Sequence, residues 1–279
     1  LKEKHPDIYN STYKFLEPQD WINFKLTGKI ATSEATAHLH WLSDIRDVNN
    51  IQYSKKLIKK IKIDADKLPE LKKTTDVLGT LTPKVAEQLG LNPDTPVIMG
   101  APDLHSAAIG SGAVKDYESH FCIGTSDWLV CHVPFKKTDI VTQVASAPSG
   151  IPGRYVTINE QEIAGGALSY LRDNILYHKD ELLAEEHVPD VYKIFDKIVE
   201  KTPPGSNGLI FIFLLFGERS PVDDHTVRGG LYNIKLNTTR EHLIRAIFEG
   251  VAYNVKWLLF AVEKFIEKRI KKEKPELIE

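Results

Sequence analysis

Cysteine and methionine are both scarce in this chain of 279 residues. It contains two cysteines, Cys122 and Cys131, and one methionine, Met99. Two cysteines are too few for a disulfide framework, so we expect inert buried thiols and a reducing, cytoplasmic compartment. No apolar run reaches the roughly 18–20 residues that a membrane span needs, and no signal peptide opens the chain. These absences argue against a disulfide-rich secreted domain and against a membrane partner.

An excess of charge of one sign is also lacking. The 36 lysines and arginines nearly balance the 38 aspartates and glutamates, for a formal net charge of -2. No basic field therefore indicates a nucleic-acid partner. The ten histidines form no His-Glu-x-x-His motif or paired metal spacing, and no P-loop or Cys-His zinc pattern is present. A hydrophobic fraction of 42% still allows a sizeable core, in one large or two modest domains.

The chain begins with Leu1, and its single methionine lies at position 99. From this we expect a chain that starts inside a longer protein or has been cut.

Two strand ends stand out between residues 95 and 128. Residues 96–99 are an apolar run that predicts a buried strand, followed by a turn and by Asp103, where a helix rich in small residues should begin. A second apolar run at 121–123 meets the Gly-Thr-Ser turn, which consists of Gly124, Thr125 and Ser126. Small-molecule sites of α/β folds lie at such strand ends. A lone Asp after a strand, however, is more often a helix N-cap.

Two downstream segments give further structural predictions. Residues 209–216 are continuously apolar, which is typical of a central strand covered on both faces. Thr238 and Glu241 have the spacing of a capping box, and they precede a long helix with a buried stripe of aliphatic residues at three- and four-residue steps. Trp128 to Val133 should form a strand antiparallel to residues 121–123.

The order of these motifs resembles the FGGY family of carbohydrate kinases, above all its xylulokinase-like members. The matching residues are VIMGAPDLHSAAIGSGAV around Asp103, the Gly-Thr-Ser turn, the helix opened by Gly165 and Gly166, Gly-Glu-Arg-Ser-Pro at 217–221, and Arg-Ala-x-x-Glu-Gly from Arg245. One departure is Ala101–Pro102, where the family usually has Gly-Gly. Because proline fixes φ and narrows the turn, the substrate fit near Asp103 should differ from that of a typical member.

The resemblance implies an incomplete actin-like ATPase (ribonuclease H-like) pair of α/β domains with the active site in a cleft. Residues 1–116 would belong to the first, sugar-binding domain and residues 117–279 to the second, nucleotide-binding domain. The family's first phosphate motif, whose Asp helps to hold Mg²⁺, and its adenosine motif have no counterpart here. We therefore expect this stretch alone to be weak or inactive.

The implied reaction is phosphorylation of a sugar hydroxyl by ATP with Mg²⁺. The first candidate for the substrate is a pentulose such as xylulose. Asp103 would be the general base and also contact the sugar, and the Gly-Thr-Ser turn would bind the β- and γ-phosphates. Gly165 and Gly166 would line the nucleotide, because a glycine-rich helix start allows close approach and offers N–H groups; a packed Gly-Gly helix start is the alternative. His105 would line the sugar pocket, with a hydrogen-bonded core histidine as the favoured alternative.

Other interpretations stay open at this stage. The Gly-Glu-Arg-Ser-Pro loop lies at the cleft edge or, as we favour, belongs to a buried charge network. The protein is a sugar kinase or a non-catalytic sugar- or nucleotide-binding relative, and a homodimer is open in either case. An actin- or chaperone-type ATPase is a third class, which the Gly-Glu-Arg-Ser-Pro block argues against.

Overall fold

The computed structural model describes residues 1–176 and 190–273, with side chains to residue 267. Contacts divide the chain into two compact units. The first contains Leu1–Glu118, Cys131–Lys137 and Ser146–Val156; the second contains Ser119–Val130, Thr138–Ala145 and Thr157–Glu279. The predicted domain boundary at 116/117 lies close to the first of these divisions and stays a prediction.

Short helices and two-stranded sheets build the first unit. Its helices are Pro6–Ser11, Pro18–Thr27, Glu34–Ala37, Lys55–Ile61, Pro83–Leu89 and Asp103–Gly110. Its two-stranded sheets pair Ala31–Ser33 with Glu70–Lys72 in parallel, and pair Ser43–Asp44 with Gln52–Tyr53 and Val77–Thr80 with Pro96–Ile98 antiparallel. Gly28 and Gly90 end two of the helices in the left-handed conformation, which glycine adopts readily at a helix C-terminus.

A five-stranded sheet follows between residues 119 and 158. Its strands are Ser119–Ile123, Asp127–Val133, Thr138–Asp139, Val144–Pro148 and Tyr155–Ile158. From one edge of the sheet to the other, the order of the strands is Ser119–Ile123, Asp127–Val133, Tyr155–Ile158, Val144–Pro148 and Thr138–Asp139. The Gly-Thr-Ser turn therefore connects an edge strand to its neighbour. Cys131 is buried in the second strand and Cys122 is half-buried in the first.

Among the described residues of the second unit are three α-helices and a short two-stranded sheet. The helices are Gly165–Leu171, Val191–Lys201 and Arg240–Glu273, and Ile210–Ile212 pairs antiparallel with Gly230–Tyr232. The first part of the predicted aliphatic stripe, Ile244, Ile247 and Val251, packs in one core with Leu171, Phe195 and Phe211. Leu258 and Val262 further along the helix are also buried. A buried stripe of this kind is the main source of stability for a helix.

Three predictions about local structure are wrong in part. The apolar run 209–216 yields only the three-residue strand Ile210–Ile212, in which Phe211 is buried while Ile210 and Ile212 are 48% and 41% exposed. Phe211 packs on one face of the strand in the core that also contains Ile244 and Ile247 of the long helix, while the opposite face, which bears Ile210 and Ile212, stays partly exposed. The alternating pattern of a half-covered strand therefore replaces double burial. The strand Pro96–Ile98 is likewise half-exposed, and Met99 just beyond it is the fully buried residue.

The predicted capping box is displaced by one residue. Thr239 and His242 form the reciprocal pair: the Thr239 N–H donates to Nδ1 of His242 at 3.1 Å, and the His242 N–H donates to Oγ1 of Thr239 at 3.5 Å. Thr238 instead accepts the N–H of Lys235 in the preceding turn. Histidine at the third helical position can replace glutamate here, because its unprotonated ring nitrogen is an acceptor.

A search of residues 1–176 and 190–273 for membrane spans finds no helix whose length and apolar content suffice to cross a bilayer.

Candidate functional site

Asp103 is the first residue of the helix Asp103–Gly110, as the sequence predicts. The turn before it needs glycine at position 100, where φ is +77° and an added Cβ would lie 2.5 Å from Nε2 of Gln19. That nitrogen donates to the carbonyl of Met99, which fixes the end of the strand. The Asp103 side chain is exposed, and its Oδ1 accepts the N–H of Leu104 at 2.7 Å. One carboxylate oxygen thus stays available at a helix N-terminus, where negative charge is favoured.

His105 lies two residues further along the same helix and is 2% exposed. Its Nε2 hydrogen-bonds to the carbonyl of Pro148 at 3.1 Å, and its ring meets that of His38 edge-on at 6.0 Å. Burial, with a smaller contribution from His38, lowers the pKa of His105 to about 4. This environment favours the hydrogen-bonded core histidine over the residue that lines a sugar pocket.

Backbone hydrogen bonds accepted by its carbonyl groups fix the Gly-Thr-Ser turn. Gly124 donates its N–H to the carbonyl of Ser126 at 2.8 Å. The carbonyl of Thr125 accepts N–H groups of Ala164 and Gly166 at 2.8 and 3.1 Å, and the carbonyl of Gly124 accepts that of Gly165 at 2.9 Å. The turn therefore caps the start of the helix Gly165–Leu171 through backbone hydrogen bonds.

The two glycines at this helix start allow that close approach. A Cβ added at Gly165 would lie 2.6 Å from the carbonyl oxygen of Gly124, and one at Gly166 would lie 3.0 Å from that of Thr125. Because both N–H groups already donate to the turn, they are not available to a nucleotide in this arrangement. The geometry thus favours the packed Gly-Gly helix start, in which Gly165 and Gly166 support the phosphate turn from behind.

The donors that remain are on the turn itself. Within the described part of the chain, no hydrogen bond is made by the N–H groups of Thr125 and Ser126 or by the Thr125 hydroxyl. Thr125 is exposed. Consecutive unpaired backbone N–H groups in a tight turn form a concavity suited to phosphate oxygens, so these residues fit a phosphate group.

A buried carboxyl group follows directly after this turn. Asp127 is fully buried, and neither of its carboxylate oxygens has a hydrogen-bond partner among the described residues. Burial raises its pKa to about 7, with further contributions from the negative charges of Glu218 and Glu160. The sequence offered no signal for this group beyond its position after the Gly-Thr-Ser turn.

The Gly-Glu-Arg-Ser-Pro loop forms a charge network, as we favoured from the sequence, but of its members Arg219 and Glu160 are about half exposed and not buried. Glu218 is 1% exposed, and its Oε1 accepts N–H groups of Glu162 and Arg219 at 3.1 and 2.9 Å. Burial raises the pKa of Glu218. The Arg219 guanidinium, about half exposed, pairs with Glu160 and Glu162. The sequence had not indicated the two glutamates that complete this network.

No metal centre is formed by the residues described here. Among residues 1–176 and 190–273, no group of three or more His, Cys, Asp or Glu side chains is arranged to hold a metal ion. The described residues thus form no all-protein ligand cluster for Mg²⁺, and we assign no chemistry to such a site.

Comparison with known proteins gives a consistent result along the whole chain. The profile described as FGGY family of carbohydrate kinases, N-terminal domain, matches residues 1–110, and that of the C-terminal domain matches residues 120–272. The chain is similar to the xylulose kinase of Bacillus subtilis (strain 168), with 29% identity over 259 residues that cover 91% of this chain and 48% of that protein. It is 24% identical to the gluconokinase of the same strain over 96% of this chain and 51% of the relative.

Solved structures agree with this likeness at the level of the fold. A xyloylose kinase from Brucella ovis superposes with a TM-score of 0.80 at 22% identity, over 94% of this chain and 51% of that one. The predicted α/β fold of the actin-like ATPase class is thereby confirmed. The chain spans about half the length of the curated relatives it matches.

Proposed function

Because this chain belongs to the FGGY family of carbohydrate kinases, we propose that it takes part in the ATP-dependent phosphorylation of a sugar hydroxyl. The observation that carries the proposal is the Gly-Thr-Ser turn, whose own carbonyls are occupied while the Thr125 and Ser126 N–H groups and the Thr125 hydroxyl are unpaired among the described residues. Donors of this kind stabilise charge that develops on phosphate oxygens, usually the largest single contribution to such catalysis.

Asp103 is the general base of the proposed reaction. Its exposed carboxylate would accept the proton of the attacking sugar hydroxyl and contact the sugar there. The hydrogen bond from the Leu104 N–H to Oδ1 orients this carboxylate and leaves its second oxygen available to the sugar hydroxyl. Asp103 belongs to the region that we assign to the sugar-binding domain, residues 1–116.

The Gly-Thr-Ser turn binds the phosphates of ATP in this proposal. It belongs to the region that we assign to the nucleotide-binding domain, residues 117–279. Gly165 and Gly166 act behind the turn, because their missing side chains allow the helix start to donate to its carbonyls. Mg²⁺ would enter with the nucleotide phosphates, as it commonly does in kinases, since the described residues do not form a site for it.

The substrate class is a small sugar or sugar acid. Relatives bear the names xylulose kinase and gluconokinase, and a ketopentose such as xylulose leads our candidates. Ala101 and Pro102, which precede Asp103, narrow the turn beside the proposed base. This reaction needs a supply of ATP, and we therefore place the protein in the cytoplasm.

The experiment is an assay of ADP release by the intact protein that carries this sequence. ATP and Mg²⁺ are supplied with a panel of pentuloses, pentitols, gluconate, hexoses and glycerol, alongside Thr125→Val. We expect one compound to raise ADP release, and Thr125→Val, which keeps the shape and removes the hydroxyl, to weaken the use of ATP. If no compound stimulates turnover, a non-catalytic sugar- or nucleotide-binding relative becomes the better interpretation, and equilibrium titrations with both ligands would follow.

A further inference from the structure

The segment formed by residues 160–162 contacts the Gly-Thr-Ser turn directly. Oγ of Ser126 donates to Oε1 of Glu160 at 3.2 Å. One residue further on, Gln161 donates its N–H to the carbonyl of Asp127 at 2.8 Å, and Asp127 returns a longer hydrogen bond of 3.4 Å. The last residue of the turn and the first residue of the following strand are therefore both tied to this segment.

Arg219 holds the same segment from the other side. Its guanidinium pairs with Glu160 through Nη1, and its Nε and Nη2 each lie 2.8 Å from Oε1 of Glu162. A planar, rigid fork can engage two carboxylates in fixed directions, which the single ammonium group of lysine cannot do. Glu160 is thereby shared between Arg219 and Ser126.

Arg219 is itself fixed by the buried residue next to it. The Glu218 carboxylate accepts the backbone N–H groups of Glu162 and Arg219, so it joins the segment 160–162 to the loop that carries Arg219. On the interior side, the Gln161 side-chain amide donates to the backbone carbonyl of Asn254 on the long helix at 3.2 Å. The position of the guanidinium thus follows from buried contacts, although its tip is exposed.

We propose that Arg219 is a positioning residue for the Gly-Thr-Ser turn, acting through Glu160 and the Ser126 hydroxyl. Without Arg219, the partly exposed Glu160 carboxylate would turn towards water, and Ser126 would lose an oriented acceptor. The Thr125 and Ser126 N–H groups would then no longer be held in one direction. The identity of the ligand that the turn binds rests on the function proposed above. The role of Arg219 in positioning the turn does not.

Hydrogen exchange of backbone amides in the intact protein tests this directly. The amides of Gly124, Gly165 and Gly166 donate to carbonyls of the turn, so their exchange rates report its order. We expect Arg219→Gln to accelerate exchange at these three amides roughly tenfold. Arg219→Lys should have exchange rates close to those of Arg219→Gln and well above those of the wild type. The control is Arg240→Gln, the same substitution in an exposed ion pair with Glu241 in the same unit, which should leave the rates unchanged.

Two comparisons separate this role from a general loss of stability. Amides in the middle of the long helix should keep their rates in Arg219→Gln, because only local opening changes. Ser126→Ala should accelerate the same three amides, and adding Arg219→Gln to it should produce no further increase. Unchanged rates at the turn in Arg219→Gln, acceleration throughout the second unit, or additive effects of the two substitutions would each overturn the proposal.

A kinetic measurement links the positioning to the proposed reaction. In the intact protein, Arg219→Gln should raise the KM for ATP several-fold and leave the KM for the sugar unchanged, and Arg219→Lys should behave similarly. An unchanged KM for ATP contradicts the role of Arg219 in the reaction. If the intact wild type shows no sugar-dependent turnover, the proposed function fails, and the exchange rates alone still decide whether Arg219 positions the turn.

Discussion

The buried carboxyl group of Asp127 predicts an unusual dependence of stability on pH. Its oxygens have no hydrogen-bond partner among the described residues, and burial together with Glu218 and Glu160 raises its pKa from 3.8 to about 7. Between these two values the folded protein binds one proton more than the unfolded chain. Stability contributed by the protonated group is therefore complete below pH 3.8 and is lost as the pH rises towards 7.

The magnitude follows from linkage. Each pH unit within this window lowers the free energy of unfolding by about 1.4 kcal/mol, for a total of up to about 4 kcal/mol at pH 7 and above. Asparagine has nearly the same shape and does not ionise. We therefore expect Asp127→Asn to be more stable than the wild type at pH 8, by an amount that shrinks steadily as the pH falls towards 4.

Urea unfolding of both proteins at several pH values between 4 and 8.5 measures this difference. Asp94→Asn is the matched control, because Asp94 is an exposed aspartate in a loop, where removal of the charge should have little effect at any pH. A difference between wild type and Asp127→Asn that is the same at pH 5 and pH 8 would refute the reasoning, since it would mean that Asp127 does not titrate in this range.

Further predictions concern the packing around the two strand ends. Gly165→Ala places a Cβ 2.6 Å from the carbonyl oxygen of Gly124, so we expect a loss of about 2 kcal/mol or more in urea unfolding; Gly230→Ala, with open space around the new Cβ, should be neutral. His105→Gln should lower stability at neutral pH while the KM for the sugar stays unchanged. Because the pKa of His105 is lowered to about 4, the wild type should lose stability as the pH falls below 6.5, and His105→Gln should reduce that loss. A raised sugar KM with normal stability would instead indicate that His105 contacts substrate.

Local signals in the sequence predicted the elements whose formation depends on nearby residues. The helix that begins at Asp103 and the buried stripe of the long helix are both as expected. Each depends on spacing or backbone conformation within a few residues. The order of motifs along the chain also sufficed to identify the family and its fold.

Burial was predicted less well, because it depends on partners distant in sequence. Residues 209–216 are apolar throughout, but the core beside the long helix covers only the face of the strand that bears Phe211, and Ile210 and Ile212 on the other face stay partly exposed. Gly165 and Gly166 were recognised as a close-approach signal. What they approach, the carbonyls of the Gly-Thr-Ser turn, required the structure.

The sequence predicted that a charge network would form near the turn, but not which residues would complete it. A Glu next to an Arg at positions 218 and 219 suggested a satisfied ion network, yet the partners Glu160 and Glu162 lie far away in sequence. No local periodicity connects such residues. The network forms because the fold places the segment 160–162 between the turn and the loop, which only the structure shows.

The most direct test of the central claim is the turnover number for sugar-dependent ADP release by Asp103→Asn in the intact protein, measured beside the wild type and the control Asp94→Asn. We predict that Asp103→Asn lowers kcat at least ~100-fold, the usual contribution of a general base, with the KM for ATP little changed, and that Asp94→Asn behaves as the wild type. Wild-type turnover in Asp103→Asn would contradict the assignment of Asp103 as the base.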